Sequence, residues 1–389
     1  MKRLIGITIL LHSALAVLSQ NSLEQNLNET PDSSDALTYE AQYVGDICGN
    51  TKGGIKSGTG YLGMANLKIG FNTQNASLWK GGEFFLNGVA THGDSPSAKL
   101  IGDYQVASNI EAGNHIYLQE LWFKQRLSAF ELTLGLQDLN AEYICSENGG
   151  MFINSAFGVP SLISDNIPLP IFPLTTLGVS GKLNIRDRVV WQAAVFDGCA
   201  TDFDYNSHNT HWKLTGHDGA FLVSELQLLN TNKQYAGTYK LGYYYHTGLS
   251  QKNDLGVFEK VFDYNYGFYA IADQTIYGNE ASNRSISAFA QVAASPRSIN
   301  NLYYYMGGGL NFNEMLKTRF SNSFGVAFAY SRFHNSIQTN ETVFEVYCKL
   351  QVTANIAIQP DLQYIINPMG SDQLLDNALV AFMRTSINF

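Results

Sequence analysis

Apolar and polar side chains alternate over many short segments of this chain, and that alternation limits its possible folds more than any other feature. Near the C-terminus, Leu379, Ala381 and Met383 share one parity, whereas Arg384 and Ser386 share the other. Successive side chains of a β-strand point to opposite faces, so the segment predicts a strand with one apolar and one polar face. A tilted strand of about 9–11 residues with this pattern is long enough to cross a membrane.

The same pattern recurs in sixteen segments. The predicted strands are 36–48, 58–70, 82–92, 114–126, 129–138, 174–184, 188–198, 219–230, 236–247, 264–276, 284–294, 301–313, 322–333, 342–352, 354–366 and 377–389. One such segment would also fit a soluble sandwich. Sixteen of them, an even number, are typical of single-chain bacterial barrels. We therefore predict an all-β fold, a sixteen-stranded antiparallel transmembrane β-barrel.

The lengths of the connections support the barrel independently. If the N-terminus is periplasmic, short connections such as 127–128 and 185–187 fall on the periplasmic side. The longest connections all fall on the opposite side: 93–113, 139–173, 199–218 and 248–263. Outer-membrane barrels place short turns in the periplasm and long loops outside, so this sorting favours the strand assignment.

The first residues indicate export. Lys2 and Arg3 precede an apolar run from Leu4 to Leu18, followed by a polar segment. We predict a signal peptide at 1–19, a short polar segment at 20–35 and the barrel at 36–389. The alternative is a membrane anchor helix, but the run is shorter than the ~20 apolar residues that a spanning helix needs.

Charge and cysteine content narrow the possible partners. The formal net charge is -9, and loss of Lys2 and Arg3 with the signal peptide makes it -11, so no nucleic-acid surface is expected. The four cysteines show no metal-binding spacing. Cys145 and Cys199 lie in predicted loops and could form a disulfide after export, although the sequence does not establish the pairing.

Motifs of catalysis are absent from the sequence. It contains no G-x-S-x-G, no H-E-x-x-H and no phosphate-binding loop, so we predict that the protein is not an enzyme. His208 and His211 have an H-x-x-H spacing, which is a weak metal signal and more often coincidental. No metal site is predicted.

The connection 139–173 is the candidate for narrowing the pore. Sixteen strands enclose a lumen too wide for wall side chains to fill, and loops of this length are usually functional. Met151, Phe152 and Phe157 make the loop apolar and Pro160 stiffens it, so we expect it to fold inward against the wall. A lid over the mouth and a subunit contact are the alternatives, and each would leave a wider pore.

Strand parity also selects candidate solute contacts. On 114–126, Glu120, Trp122, Lys124 and Arg126 share a face opposite Tyr117, Leu121 and Phe123, so that face should line the lumen. An aromatic plate beside charged hydrogen-bonding groups suits a sugar. The same parity predicts further lumen-facing residues: Glu131, Lys240, His246, Asp273, Glu345, Lys349, Asp361 and Arg384. The alternative is that these charges only solvate the wall or brace it through ion pairs.

Several sequence blocks resemble one known family. The stretch CSENGGMFINSAFGVPSLISDNIPLPIFPLTTLGVSGKL at 145–183, with WQAAVFDG at 191–198, LQELWFKQ at 118–125, GTYKLGYYYHTG at 237–248 and QPDLQYIINP at 359–368, is similar to the carbohydrate-selective porin family OprB. The four cysteines depart from that family's pattern.

The resemblance implies a channel in the outer membrane of a Gram-negative bacterium, in contact with membrane lipid. Glucose and other small carbohydrates would diffuse through it passively, with no cofactor and no energy input. A general diffusion porin for small hydrophilic solutes and ions is the alternative function. Sixteen-stranded porins commonly form trimers, so a homotrimer is expected.

Overall fold

The computed structural model describes residues 35–389 except 233, 253–257, 280–283, 317, 335 and 372. The predicted signal peptide and all but the last residue of the predicted polar segment lie outside the described residues. In the described part of the chain, no helix has the length and apolar character needed to cross a membrane.

The described residues form eighteen strands, of which sixteen close into one antiparallel barrel. The barrel strands are β1 (Leu37–Gly54), β2 (Gly58–Asn72), β3 (Gly82–Gly93), β4 (His115–Leu127), β5 (Phe130–Gln137), β6 (Thr176–Arg186), β7 (Val189–Asp197), β8 (Ala220–Asn230), β9 (Gly237–His246), β12 (Asn265–Asn279), β13 (Arg284–Ala294), β14 (Leu302–Asn313), β15 (Ser321–Phe333), β16 (Asn340–Gln351), β17 (Ile356–Ile366) and β18 (Asp376–Asn388). Strands β10 (Leu249–Lys252) and β11 (Phe258–Phe262) form a separate hairpin.

The predicted sixteen-stranded barrel is confirmed. Each barrel strand pairs with its neighbour in the chain, and β1 pairs with β18, with Asp46 opposite Arg384, to close the cylinder. The largest boundary difference is in β1, which extends to Gly54 rather than to residue 48. The β10–β11 hairpin was not predicted, because its strands are too short to display alternation over a membrane span.

The alternation separates an apolar outside from a polar inside. On β16, Phe344 and Val346 are 48% and 50% exposed, whereas Glu345 between them is 1% exposed. Tyr117 was predicted to face outward with Leu121, and this prediction is wrong, because Tyr117 is only 3% exposed and packs inside. A β-bulge in β4, where the register shifts between Asn87 and Gly88 of β3, inserts one residue and reverses the parity before it.

The longest connections all lie at the same end of the barrel, as predicted. The loop end carries the long connections 94–114, 138–175, 198–219 and 247–264. The turn end carries tight connections such as Ser128–Ala129, where Ser128 has a φ of 57°, the positive value that two-residue hairpins favour.

Two of the long connections turn into the lumen. Inner loop 1 (residues 94–114) contains a π-helical turn at Ser97–Ile101. Inner loop 2 (residues 138–175) contains three short 3-10 turns and the helix α1 (Ser161–Asn166). The inward fold of inner loop 2 agrees with the expectation for 139–173. The inward fold of inner loop 1 was not predicted.

Candidate functional site

Inner loop 2 is packed onto the barrel wall by aromatic side chains. The ring of Phe152 lies 5.0 Å from that of Tyr347, 5.6 Å from Phe289 and 5.1 Å from Phe157. Burying one such side chain is worth about 1.5–3 kcal/mol, so this contact is a strong attachment. Phe152, Phe157 and Pro160 are buried between loop and wall, and Met151 is half-buried.

Wall tyrosines complete this cluster. Tyr244 and Tyr305 belong to triplets of consecutive tyrosines that resemble membrane-interface girdles in sequence. Tyr244 and Tyr305 both point into the barrel, where they are fully buried against inner loop 2. Tyr243, by contrast, faces outward and is 39% exposed.

Carboxylates of the wall accept hydrogen bonds from the main chain of inner loop 2. Glu345 accepts from the N–H of Ile153 at 2.5 Å and of Asn154 at 3.0 Å. Asp273 accepts from the N–H of Asn148 at 3.0 Å and from the Ser146 hydroxyl at 2.7 Å. Backbone groups buried without a sheet partner need such acceptors, and bonds to a charged group contribute about 1.5–3 kcal/mol each.

Inner loop 1 is held in the same way by Glu341 at the start of β16. Its carboxylate accepts from the N–H of Tyr104 at 2.8 Å, of Gln105 at 2.9 Å and of Met369 at 2.7 Å. One buried side chain therefore joins inner loop 1 to the connection between β17 and β18.

A buried ion pair provides the second attachment of inner loop 1. Arg384 donates to both carboxylate oxygens of Asp46, each at 2.7 Å, and also to Oδ1 of Asn109 at 2.8 Å. The Ser108 hydroxyl donates to Asp46 at 2.8 Å. This bidentate pair fixes the loop to the seam where β18 meets β1, and its planar geometry is the strongest that an arginine and a carboxylate can form.

The two inner loops also bond to each other through their main chains. The N–H of Asn109 donates to the carbonyl of Ile153 at 2.9 Å, and that of Ser155 donates to the carbonyl of Val106 at 3.0 Å. Together the loops therefore form one insert inside the barrel.

A cavity of about 370 Å³ lies between this insert and the wall formed by β1, β2 and β18. We call it the lumenal cavity. The wall contributes Glu40, Gln42, Val44, Met64, Asn66, Lys68 and Arg384. Inner loop 1 contributes Tyr104, Gln105, Val106, Asn109, Ile110 and Glu111. Inner loop 2 contributes polar groups that include Asp138, Asn140, Ser146, Ser164 and Asp165.

Several parity-selected residues lie behind inner loop 2, away from the lumenal cavity. Lys124 forms an ion pair with Glu142 at 3.0 Å, and Lys240 donates to the carbonyl of Cys145 at 2.9 Å. Trp122 donates to Glu120 at 3.2 Å, and both line a much smaller space beneath the start of the loop.

The remaining parity-selected residues are dispersed. Arg126 lies near Glu83 at 3.2 Å and Glu131 at 3.5 Å toward the turn end. His246 is fully buried at the loop end and its Nε2 lies 2.8 Å from the carbonyl oxygen of Gly198. Asp361 is buried next to Gln363, and Lys349 is half-buried on β16. Among all the parity-selected residues, Arg384 is the one that lines the lumenal cavity.

The loop anchors Asp46, Glu225 and Glu341 were missed from the sequence. Glu225 accepts from the N–H of Ile144 at 3.2 Å. Asp46 and Glu225 occupy inward-facing positions of β1 and β8, so the alternation of those strands could have predicted that they face the lumen. The loop residues that line the cavity, such as Glu111, have no periodic signal.

The electrostatics of inner loop 1 differ from those of a surface loop. Burial, with a smaller contribution from the nearby Asp103, raises the pKa of Glu111 to about 7. Burial likewise raises the pKa of Asp103 to about 6. Both groups therefore change charge near neutral pH.

The possible disulfide between Cys145 and Cys199 is not formed in the structure. Cys145 lies inside the barrel, with its Sγ 3.2 Å from Nζ of Lys240, whereas Cys199 lies at the start of the connection 198–219 at the loop end.

Comparisons with known proteins agree with this architecture. Residues 56–389 match the carbohydrate-selective porin family, OprB. The chain is 24% identical over 409 aligned positions to Porin B of Pseudomonas aeruginosa, covering 90% of this chain and 87% of that protein.

Solved structures share the fold at low sequence identity. The high-pH structure of Pseudomonas putida OprB has a TM-score of 0.80 at 21% identity, covering 95% of this chain and 96% of that one. The trimer form of Vibrio cholerae OmpT has a TM-score of 0.53 at 11% identity, covering 91% of this chain and 100% of that one. Because the family match spans nearly the whole barrel, the chain belongs to the OprB family and is a carbohydrate-selective porin of the Gram-negative outer membrane.

Proposed function

We propose that small sugars such as glucose cross the membrane by passive diffusion through the lumenal cavity. The observation that carries this proposal is the volume of about 370 Å³, which is lined by both polar and apolar side chains of the wall and of the two inner loops. This lies within the range of roughly 300–1,000 Å³ that small-molecule sites occupy.

The lining chemistry suits a neutral polyol. The amides of Gln42, Asn66 and Asn109 offer both donors and acceptors, which sugar hydroxyls can match in either direction. The rings of Tyr104 and Phe172 can contact the C–H face of a sugar. Such contacts favour sugars over the broader solute range of a general diffusion porin.

The parity-selected residues behind inner loop 2 are assigned an indirect role in this proposal. Lys124, Asp273 and Glu345 would set the size of the cavity by holding the loop, whereas Arg384 would also contact the solute. Their bonds to the loop support this division. The fold and family are those of a channel, and the absence of catalytic motifs supports the further proposal that the protein has no enzymatic activity.

Filling the lumenal cavity should block sugar passage. Ser164 of α1 lines the cavity, and Ser164→Trp would place an indole in it. We expect the initial rate of glucose-driven liposome swelling to fall by about tenfold or more, because the ring occupies much of a space suited to one small solute. Ser207→Trp, on the exposed connection 198–219, is the matched control. Unchanged swelling with Ser164→Trp would place the sugar path elsewhere.

A homotrimer is proposed for the assembly. The outer face of β1–β3 carries a polar aromatic group in which the Tyr43 hydroxyl bonds to that of Tyr61 and lies 3.0 Å from Nε2 of His92. Polar groups facing lipid are costly, and a neighbouring subunit would cover them. Light scattering of the detergent-purified protein should give the mass of three chains, and a mass of one chain would contradict the proposal.

A further inference from the structure

Acidic side chains outnumber basic side chains in the lining of the lumenal cavity. Two bases line it, Lys68 and Arg384. Four acids line it: Glu40, Glu111, Asp138 and Asp165. The cavity is therefore formally acidic, whereas the charges elsewhere on the inner wall are mixed.

The two bases are already compensated by acids. Nζ of Lys68 lies 3.7 Å from Glu40, and Arg384 is bound by both oxygens of Asp46 at 2.7 Å. An ion pair has little field at a distance, so neither base offers a strong site for an anionic solute.

Two of the acids have no such compensation. Glu111 reaches the cavity from inner loop 1 and accepts from the N–H of Ser97 at 3.2 Å. Asp165 reaches it from α1 in inner loop 2 and is exposed to the lumen. Across the described ranges of the chain, neither carboxylate has a lysine or arginine nitrogen within 4.0 Å.

We infer that Glu111 and Asp165 make the passage selective by charge, admitting neutral sugars and cationic amino sugars while excluding sugar acids and sugar phosphates. The inference rests on the proposed sugar path through the lumenal cavity. A narrow water-filled passage with low-dielectric walls focuses the field of its charges, so two uncompensated carboxylates act on every solute that passes.

The exclusion of anionic sugars should become stronger as the pH rises. Burial raises the pKa of Glu111 to about 7, so the group is neutral well below that value and negative well above it. Desolvation inside the barrel, and then the charge of Glu341, raise the pKa of Asp165 well above its usual range, so Asp165 also gains its charge only as the pH rises. The groups around it are the Ser97 and Ala98 main chain of the π-helical turn, Asp103 of the same loop and Cys48 of β1. Raising the pH through 7 therefore adds negative charge to the passage, and lowering it removes that charge.

The test is swelling of proteoliposomes that contain the full mature chain, with glucose or gluconate as solute. At pH 8.5 the native protein should admit glucose about tenfold faster than gluconate, a ratio within the enrichment that charged clefts produce. In the double variant Glu111→Gln and Asp165→Asn the ratio should approach one, because amides of similar size replace both carboxylates. Asp187→Asn combined with Asp204→Asn removes two exposed acids outside the cavity and should leave the ratio as it was.

A reversal potential in a potassium chloride gradient gives a second readout. Native channels should prefer K⁺, and the preference should weaken at pH 6 and in the double variant. Equal rates for glucose and gluconate in the native protein at pH 8.5 would overturn the inference, as would an unchanged ratio in the double variant. Failure of glucose to enter any of these liposomes would instead contradict the proposed function.

Discussion

Replacing Arg384 with glutamine should widen the channel and destabilise the protein. The change leaves Asp46 buried without its cation and removes the bond to Asn109, so inner loop 1 loses its attachment to the barrel seam. Removing one partner of a buried pair typically costs about 3–5 kcal/mol of the free energy of unfolding. In planar bilayers we expect the single-channel conductance to rise by about twofold or more, since conductance follows the open cross-section.

Arg126→Gln is the matched control for this experiment. Arg126 also lies beside acids on the inner wall, Glu83 and Glu131, but it contacts neither inner loop through those bonds. Its loss should leave the conductance near the native value. If Arg384→Gln conducted like the native protein, inner loop 1 would not depend on the ion pair, and its other anchor at Glu341 would have to hold it alone.

Phe152→Ala should produce the second large effect. Phe152 is 1% exposed and its ring contacts three others, so truncation leaves a cavity between inner loop 2 and the wall. Changes of this kind cost about 3–5 kcal/mol. We expect that loss in urea unfolding of the protein in detergent, together with noisier single-channel currents as the loop loosens.

Phe344→Ala separates this effect from a general loss of aromatic surface. Phe344 is 48% exposed on the outer face of β16, so its removal creates no internal cavity. The expected cost is less than half that of Phe152→Ala, because about half of the side chain is already outside the packed protein. Equal losses for the two variants would show that the inner aromatic cluster adds nothing particular to stability.

The barrel could be predicted from sequence because its signal is local and repeated. Each strand shows its apolar and polar faces within about ten residues, and sixteen repetitions of that pattern exclude most other strand assignments. The inward fold of inner loop 2 was also predictable, because Phe152 and Phe157 need burial that only the wall can give.

The position of inner loop 1 could not be read in the same way. Its residues include Asp103, Ser108 and Asn109, which are ordinary for a surface loop. What draws it inward are Glu341 and Arg384, more than two hundred residues away in sequence. The sequence of the loop itself therefore does not indicate that it folds inward.

Parity indicates the face of a side chain but not what covers it. Glu345 and Asp273 point inward, as alternation requires, yet main-chain groups of inner loop 2 lie over them. Tyr117 shows a different limit, since a single inserted residue in β4 reverses its face without any mark in the sequence.

The carboxylates of Glu341, Asp273 and Glu345 hold the inner loops through main-chain N–H groups and not through particular side chains. Every amino acid except proline supplies that donor, so most substitutions in the two inner loops keep these hydrogen bonds. The wall carboxylates are therefore under stronger constraint than the loop side chains that line the cavity. A porin of this kind can change its solute preference through loop substitutions while the loops stay attached to the barrel.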